Sequence, residues 1–306
     1  MNILKIATRK SPLALWQAEH VKKRLQEVHS DLTVELVSMT TEGDRFLDAP
    51  LIAVGGKGLF IKELETALLE GRADIAVHSM KDVTIDLPDE LALPVIMERE
   101  DTRDVFISNA FEKIEQLPSN AVLGTSSLRR QSQVKALYPD LELKDLRGNV
   151  GTRLGKLDAG EYDGILLAAA GIIRLGMAER VTQFLPQTLL LPAIGQGAIG
   201  IECRAGDDAV YELIAPLNDA PTSICVQAER AFSRRLFGGC QLPIAGQATI
   251  EGDDVTLNGL IARVDGSDVI QSEAKGSIND IDNLGISLAE TLLQRGGDKI
   301  LEELLH

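Results

Sequence analysis

A repeated pattern occupies the first two thirds of this 306-residue chain: short apolar runs end at polar turns and alternate with segments of helical periodicity. The clearest runs are Leu4–Ala7, Ala73–Val77, Ala121–Leu123 and Asp163–Ala168. Strand-length apolar runs that alternate with helices predict parallel strands, because parallel neighbours need a long crossover connection instead of a tight turn. The pattern therefore restricts this part of the chain to α/β folds.

Two interruptions of the pattern suggest how the chain is divided. The charged connector Glu98–Arg103 has no apolar period, and Pro192–Gly197 precedes a strand, Ala198–Cys203, that can rejoin the first sheet. Two crossings between two α/β lobes would build a hinged cleft, as in periplasmic-type solute-binding proteins. From Thr222 the pattern changes to a helix, three strands and further helices, which is typical of an α+β domain. We expect domain 1 at 1–98 plus 198–216, domain 2 at 103–192 and domain 3 at 220–306.

Composition argues against several classes of protein. A net charge of −15 disfavours nonspecific nucleic-acid binding, which needs a basic surface. The apolar runs are too short or too interrupted to span a membrane, and the N-terminus reads as a strand instead of an export segment, so we expect a cytoplasmic protein. Cys203, Cys225 and Cys240 form no Cys-x-x-Cys pair and have no histidine nearby at ligand spacing. We expect free thiols and no metal site.

The middle of this acidic chain is cationic, with eight Lys/Arg against six Asp/Glu between residues 121 and 174. Three strands there end at glycine- or hydroxyl-rich turns that bear arginine: Gly124–Arg130, Arg147–Arg153 and Ala170–Arg174. Ligands of open α/β sheets bind beyond the carboxyl ends of strands, and arginine forks pair with carboxylates or phosphates. One arginine pair is usually a solvated helix face, but the recurrence at equivalent positions favours a site for a polyanionic small molecule.

Two turns of the first domain add candidate residues. Thr8-Arg9-Lys10-Ser11 lies between a strand end and a helix start, where anions are readily bound. The predicted strand Ala73–Val77 is followed at its carboxyl end by the polar segment His78-Ser79-Met80-Lys81-Asp82. Asp82 is the first candidate for a catalytic carboxylate, because it would stay ionised among so many cations and could stabilise a positive charge or move a proton. His78 is more often structural in such a position, since no cysteine or carboxylate partner sits at a recognisable offset.

Two glycine-containing loops have competing interpretations. The long segment Thr41–Leu59 contains Gly55-Gly56-Lys57-Gly58, but the phosphate-binding spacing fails because a glycine follows the lysine. We interpret this segment as a lid, against the alternative of a plain solvated loop. Cys240 follows two glycines on a turn after a helical run. A thiolate there can serve as a nucleophile or a covalent anchor, whereas a lone cysteine is more often a small buried hydrophobe.

Together, these motifs resemble the porphobilinogen deaminase family along nearly the whole chain. They are Ala7–Ala14, Val54–Phe60, Ala73–Val83, Gly124–Arg130, Leu146–Arg153, Leu191–Glu202 and Gly238–Pro243. The resemblance implies a transferase of heme biosynthesis that condenses four porphobilinogen molecules, with loss of ammonia, into the linear tetrapyrrole hydroxymethylbilane. The product would pass to a downstream tetrapyrrole-cyclising enzyme. Two positions depart from the family pattern: Thr84 stands where proline is expected, and Ala53 stands where lysine is frequent, which leaves any lysine role in the lid to Lys57.

The resemblance also implies a dipyrromethane cofactor, two pyrroles made from the substrate, held through a thioether to Cys240. It assigns Asp82 as the catalytic residue. The implied cofactor-binding residues are Lys81, Asp82, Thr125, Ser127, Arg129, Arg130, Arg147 and Gly148. The implied substrate-binding residues are Arg9, Ser11, Gln17, Arg147, Arg153, Arg174 and Gln196, with Lys57 and Phe60 in the lid. Each pyrrole bears an acetate and a propionate, so the number of arginines agrees with the charge of the product.

Two other classes of protein stay open from the residues alone. A cytoplasmic solute-binding module for a polycarboxylate would use the same cleft and arginines but leave Cys240 unmodified. A cysteine-nucleophile acyltransferase would need a base near Cys240, and the four histidines give no clear partner. We expect an enzyme, and a monomer, because no hydrophobic heptad or interface helix indicates assembly.

Overall fold

A computed structural model describes residues 2–45, 58, 60–236 and 242–305. The chain divides into two compact units, Met1–Glu100 with Gly197–Ser223, and Asp101–Gln196 with Ile224–His306. No helix in the described ranges is long and apolar enough to cross a membrane. The finer division into three domains stays a prediction.

The strands and helices of the described residues are numbered in chain order. The strands are β1 (Ile3–Arg9), β2 (Thr33–Met39), β3 (Ile75–Ser79), β4 (Leu91–Ile96), β5 (Asp104–Ile107), β6 (Val122–Gly124), β7 (Glu142–Lys144), β8 (Gly164–Ala168), β9 (Gln183–Leu185), β10 (Ile199–Arg204), β11 (Ile244–Glu251), β12 (Asp254–Ala262) and β13 (Val269–Ser277). The helices are α1 (Pro12–Val28), α2 (Glu42–Arg45), α3 (Lys62–Leu69), α4 (Leu128–Leu137), α5 (Val150–Asp158), α6 (Ala169–Arg174), α7 (Asp208–Ile214), α8 (Ala220–Arg235), α9 (Ile281–Leu292) and α10 (Asp298–Leu305).

The first unit is built on a five-stranded sheet of order β2-β1-β3-β10-β4. Strands β1, β2 and β3 run parallel, so their carboxyl ends lie at one edge of the sheet, while β10 runs antiparallel to β3. Helix α1 begins at Pro12, and the Ser11 hydroxyl caps it by accepting a hydrogen bond from the Ala14 amide. Its buried residues recur every three or four positions and pack against the strand residues of the same hydrophobic core.

The second unit contains a five-stranded sheet of order β7-β6-β8-β5-β9. Strands β6, β7 and β8 run parallel, and β5 pairs antiparallel with β8 and β9. The carboxyl ends of the three parallel strands therefore share one edge of this sheet. The prediction of α/β architecture is confirmed, and each sheet is mixed because antiparallel strands complete it.

A three-stranded antiparallel sheet, β11-β12-β13, and helices α8, α9 and α10 complete the second unit. Phe232 of α8 is fully buried beneath this sheet. Gly259 of β12 leaves it room, since an added Cβ would overlap the Phe232 ring. The buried Glu229 carboxylate accepts hydrogen bonds from the Gly195 amide at 2.7 Å and the Ala248 amide at 2.9 Å. The predicted C-terminal α+β region is confirmed, and Glu229 joins it to the segment that precedes β10.

Candidate active site

The first unit has a polar pocket at the carboxyl edge of its parallel strands. Arg9 is the last residue of β1 and Ser11 follows it, and Lys81 and Asp82 lie in the 3-10 turn Met80–Asp82 that follows β3. The pocket is lined by Arg9, Ser11, Leu13, Ala14, Gln17, Phe60, Ile61, Val77, His78, Ser79 and Asp82. Five residues implied by the family resemblance thus meet at one pocket, together with His78 and Ser79.

Two contacts fix the walls of this pocket. The Arg9 guanidinium carbon lies 4.4 Å from the centroid of the Phe60 ring, a cation–π contact. Gly43 of α2 permits the ring to lie there, because an added Cβ would overlap it. The buried Gln17 amide donates a hydrogen bond to the Ser79 hydroxyl at 2.8 Å. Gln17 therefore binds the end of β3 as well as lining the pocket.

His78 contacts a carboxylate that lies far away in the sequence. Its Nε2 is 2.8 Å from Glu202 Oε2 on the neighbouring strand β10, and both side chains are buried. Glu202 Oε1 has no hydrogen-bond partner among the described residues. Burial raises the pKa of the nearby Glu65, and the charge of Glu202 raises it further. A buried acid–base cluster thus stands behind the pocket wall.

In the second unit, the cationic turns lie at the shared carboxyl edge of β6, β7 and β8. Thr125 and Ser127 follow β6, Arg147 and Gly148 follow β7, and Arg174 lies in α6 directly after β8. Ser127 occupies the N-cap of α4, and Arg129 and Arg130 are in its first turn. The direction of the strands brings the three turns together.

Arg129 and Arg130 are paired with a buried carboxylate, Asp104, at the start of β5. Arg129 Nη1 is 2.8 Å from Asp104 Oδ2, and Arg130 Nη2 is 2.7 Å from Asp104 Oδ1. Burial alone would raise the pKa of Asp104, but the charges and hydrogen bonds of the two guanidinium groups outweigh it and hold that pKa far below its usual range. Asp104 was not among the residues predicted from the sequence. The one sequence feature that could have indicated it is its position as an acidic residue at the start of the apolar strand Asp104-Val105-Phe106-Ile107.

The Asp104 cluster retains a positive charge and an unused donor. Two guanidinium groups face one carboxylate, and the buried Arg129 Nε has no hydrogen-bond partner in the part of the chain that the structure describes. The Gln196 amide donates to Asp104 Oδ1 at 3.0 Å and to the Thr102 carbonyl at 2.7 Å. The cluster can therefore bind an anionic group of a ligand. Gln196 orients the Asp104 carboxylate within it.

The turn after β7 has its own backbone requirement. Gly148 adopts φ 113°, in the left-handed region, and an added Cβ would also overlap Thr152. Its carbonyl accepts a hydrogen bond from Arg153 Nε at 2.7 Å. Arg147 and Arg153 are half-buried, and Arg174 is 9% exposed. Each of these arginines interacts with other groups of the protein.

Two implied residues, Lys57 and Cys240, lie outside the described residues. The other two cysteines are buried, and burial raises the pKa of the Cys203 thiol to about 11. A thiol with so high a pKa is a poor nucleophile near neutral pH. No group of histidine, cysteine or acidic residues in the described ranges could hold a metal ion.

Comparison with protein families gives two matches. A family model described as "Porphobilinogen deaminase, dipyromethane cofactor binding domain" matches residues 4–212. A second, described as "Porphobilinogen deaminase, C-terminal domain", matches residues 223–294. The two matches together cover nearly the whole chain.

Comparison with solved structures gives similar proteins of low sequence identity. The methionine-binding protein MetQ is 13% identical over 71% of this chain and 89% of its own, with a TM-score of 0.44. A nutrient-binding protein from Burkholderia cenocepacia bound to methionine is 13% identical over 69% and 90%, with a TM-score of 0.43. A periplasmic substrate-binding protein of an ABC transporter from Coxiella burnetii is 13% identical over 77% and 97%, with a TM-score of 0.43.

Proposed function

Since this chain belongs to the porphobilinogen deaminase family, we propose that it condenses four porphobilinogen molecules stepwise, with release of ammonia, into hydroxymethylbilane. Membership makes it a transferase of tetrapyrrole synthesis with a domain that binds a dipyrromethane cofactor. One observation carries the assignment of residues: Asp82 follows the parallel strand β3 of the first sheet, and Thr125, Ser127 and Arg147 follow parallel strands of the second.

The residues of the second unit fit a group that bears several carboxylates. The Asp104 cluster has two guanidinium groups for one carboxylate, and Arg129 Nε is a buried donor without a hydrogen bond in the described part of the chain. We assign Thr125, Ser127, Arg129, Arg130, Arg147 and Gly148 to hold the cofactor. When bound, the cofactor supplies the covalent primer for the product chain. Arg153, Arg174 and Gln196 are assigned to the carboxylates of the substrate pyrroles.

In the first unit, Asp82 is the proposed catalytic residue. Its carboxylate can accept hydrogen bonds from pyrrole N–H groups and stabilise the positive charge that develops on the substrate as ammonia leaves. Arg9 and Ser11 stand at the start of α1, where the helix dipole favours a substrate carboxylate. Gln17 and Phe60 complete the pocket wall. The pocket thus has a candidate acid–base group, Asp82, beside candidate anion-binding groups, Arg9 and Ser11.

Cys240 is the proposed covalent anchor of the cofactor. The burial of Cys203 and Cys225 supports this assignment, because neither thiol is accessible to a bulky reactant. The test is the intact mass of the purified protein beside that of Cys240→Ser. We expect an excess of two pyrrole units on the native chain and none on Cys240→Ser, whereas Cys225→Ser should keep the excess.

If the native chain has the bare mass of its sequence, it should gain the two-pyrrole excess on incubation with porphobilinogen. A chain that stays at the bare mass after this incubation would argue against the covalent primer. An excess that persists on Cys240→Ser would move the anchor to another residue.

Arg147→Ala should impair cofactor assembly or chain elongation. Losing a charge-assisted hydrogen bond costs about 1.5–3 kcal/mol, which corresponds to roughly a 10- to 150-fold loss in product formation or primed enzyme. Intact mass distinguishes the two cases, because only a defect in assembly lowers the primed fraction. The control is Arg180→Ala, which removes a surface ion pair with Asp158 in the same unit. Unchanged turnover in Arg147→Ala would remove this arginine from the site.

A further inference from the structure

The end of strand β3 is held by side chains from both faces of the first sheet. Successive strand residues point to opposite faces, so His78 and Ser79 are directed to different sides. Ser79 accepts the hydrogen bond from Gln17 of α1, and His78 bonds to Glu202 of β10, each at 2.8 Å. The Met80 amide then donates to the Ala198 carbonyl at 3.0 Å. The turn that carries Asp82 therefore starts from a fixed strand end.

Stability alone does not explain the His78–Glu202 pair. The two side chains are 3% and 1% exposed, and Glu202 Oε1 is buried without a hydrogen bond to any described residue. Taking such groups out of water is costly, and an apolar pair of similar volume is often as stabilising or more so. A polar pair at this position indicates a role that an apolar pair could not fill.

The surroundings of the pair connect it to the pocket. His78 lines the same pocket as Asp82. Glu65 of α3 lies near the pair: burial and the charge of Glu202 raise the pKa of Glu65, whereas the charges of His78 and Lys62 lower it. The Glu202 carboxylate fixes the imidazole through Nε2, and this bond sets the orientation of the ring. One side of the ring is thus anchored, and the ring forms part of the pocket wall.

We propose that His78 and Glu202 are a positioning pair for Asp82. Glu202 holds the imidazole, the imidazole holds the carboxyl end of β3, and the following turn presents the Asp82 carboxylate in one orientation. The inference rests on the proposed catalytic role of Asp82. It predicts that disrupting the pair lowers turnover while the fold and the cofactor content stay nearly unchanged.

The test uses the holoenzyme and the double substitution His78→Leu with Glu202→Leu. This variant leaves no unpaired charge, so its Tm should fall little, and it should keep the two-pyrrole mass. Its kcat should fall by about 10- to 100-fold with KM changed less than about threefold, because small misplacements of a catalytic group carry such losses. His78→Gln keeps a donor at the Nε2 position and should recover most of this loss. His20→Gln, which removes a ring stacked on Trp16, is the control.

Ser79→Ala provides a variant that introduces no buried charge. It removes the contact on the opposite face and should also lower kcat, by about 3- to 10-fold, with little change in KM. A normal kcat in the double variant, or in the alternative apolar pair His78→Met with Glu202→Met if the leucine pair does not fold, would overturn the proposal. The proposal would also be overturned if His78→Gln and the double variant lost kcat equally and both had a flattened pH profile. Such a result would indicate that His78 is an acid–base catalyst. Failure of the mass test on native protein would count against the proposed function instead.

Discussion

Asp82→Asn is expected to retain the fold and the bound cofactor and to lose turnover by about 10²- to 10⁴-fold, the range for removal of an acid–base or charge-stabilising group. Asparagine has nearly the same shape as aspartate, so the 3-10 turn after β3 should persist. It lacks the negative charge that, in the proposed role of Asp82, would offset the cation formed when ammonia leaves. The measurement is hydroxymethylbilane formation under single-turnover and steady-state conditions, with intact mass to confirm the primer.

The control for this substitution is Asp89→Asn, an exposed aspartate seven residues further along the chain. It should leave both primer mass and turnover unchanged. Near-normal product formation by Asp82→Asn would refute the catalytic role. Loss of the primer mass as well as turnover would shift the role of Asp82 from catalysis to cofactor assembly.

Asp104→Asn is expected to lower the free energy of unfolding by about 3–5 kcal/mol, the usual cost of removing one partner from a buried ion pair. Asparagine would leave Arg129 and Arg130 both charged in a buried site without a counter-ion. Urea unfolding of the second unit measures the change. The matched control, Asp158→Asn, removes the exposed partner of Arg180 and should change stability little. Equal stabilities of the two variants would contradict the structural role of the Asp104 cluster.

The same carboxylate gives the second unit a defined dependence on pH. The folded-state pKa of Asp104 lies below its unfolded value, because both guanidinium groups favour the ionised form over the opposing effect of burial. Its contribution is therefore fully present above the unfolded pKa, about 3.9. It is lost as the pH falls below that value. Wild-type stability should decline more steeply than that of Asp104→Asn between about pH 4 and pH 2.

The sequence predicted the elements that have strong local patterns. Strand β1, helix α1 with its Ser11 cap and strand β3 were all identified from apolar period and capping chemistry, although β3 ends at Ser79, two residues after the predicted end at Val77. Helix α3 begins at Lys62, and the ring of Phe60 before it packs against Arg9. Strand β4 was not predicted, because Pro94 interrupts its apolar run; the edge position of β4 tolerates the missing amide hydrogen.

Partners across a sheet could not be predicted in this way. Arg129 and Arg130 were interpreted as ligand-binding forks, and the structure adds Asp104, 25 and 26 residues earlier on an antiparallel strand. Glu202 is 124 residues from His78. Helical and strand periods show which face a residue occupies, but they carry no information on which distant strand lies beside it. Pairs of this kind need the strand order, which one sequence does not specify.

The bridge made by Glu229 has a consequence for how a tethered product could grow. Its carboxylate joins the segment before β10 to strand β11, and Leu191 packs with Ala245 and Leu260 at the same junction. Glu229 lies on the helix whose C-terminal end leads towards Cys240. The described part of this helix is thus bonded within the same unit as Arg129, Arg147 and Arg174. If Cys240 anchors the product as proposed, we expect the free end of the product, and not its root, to move relative to these guanidinium groups as rings are added.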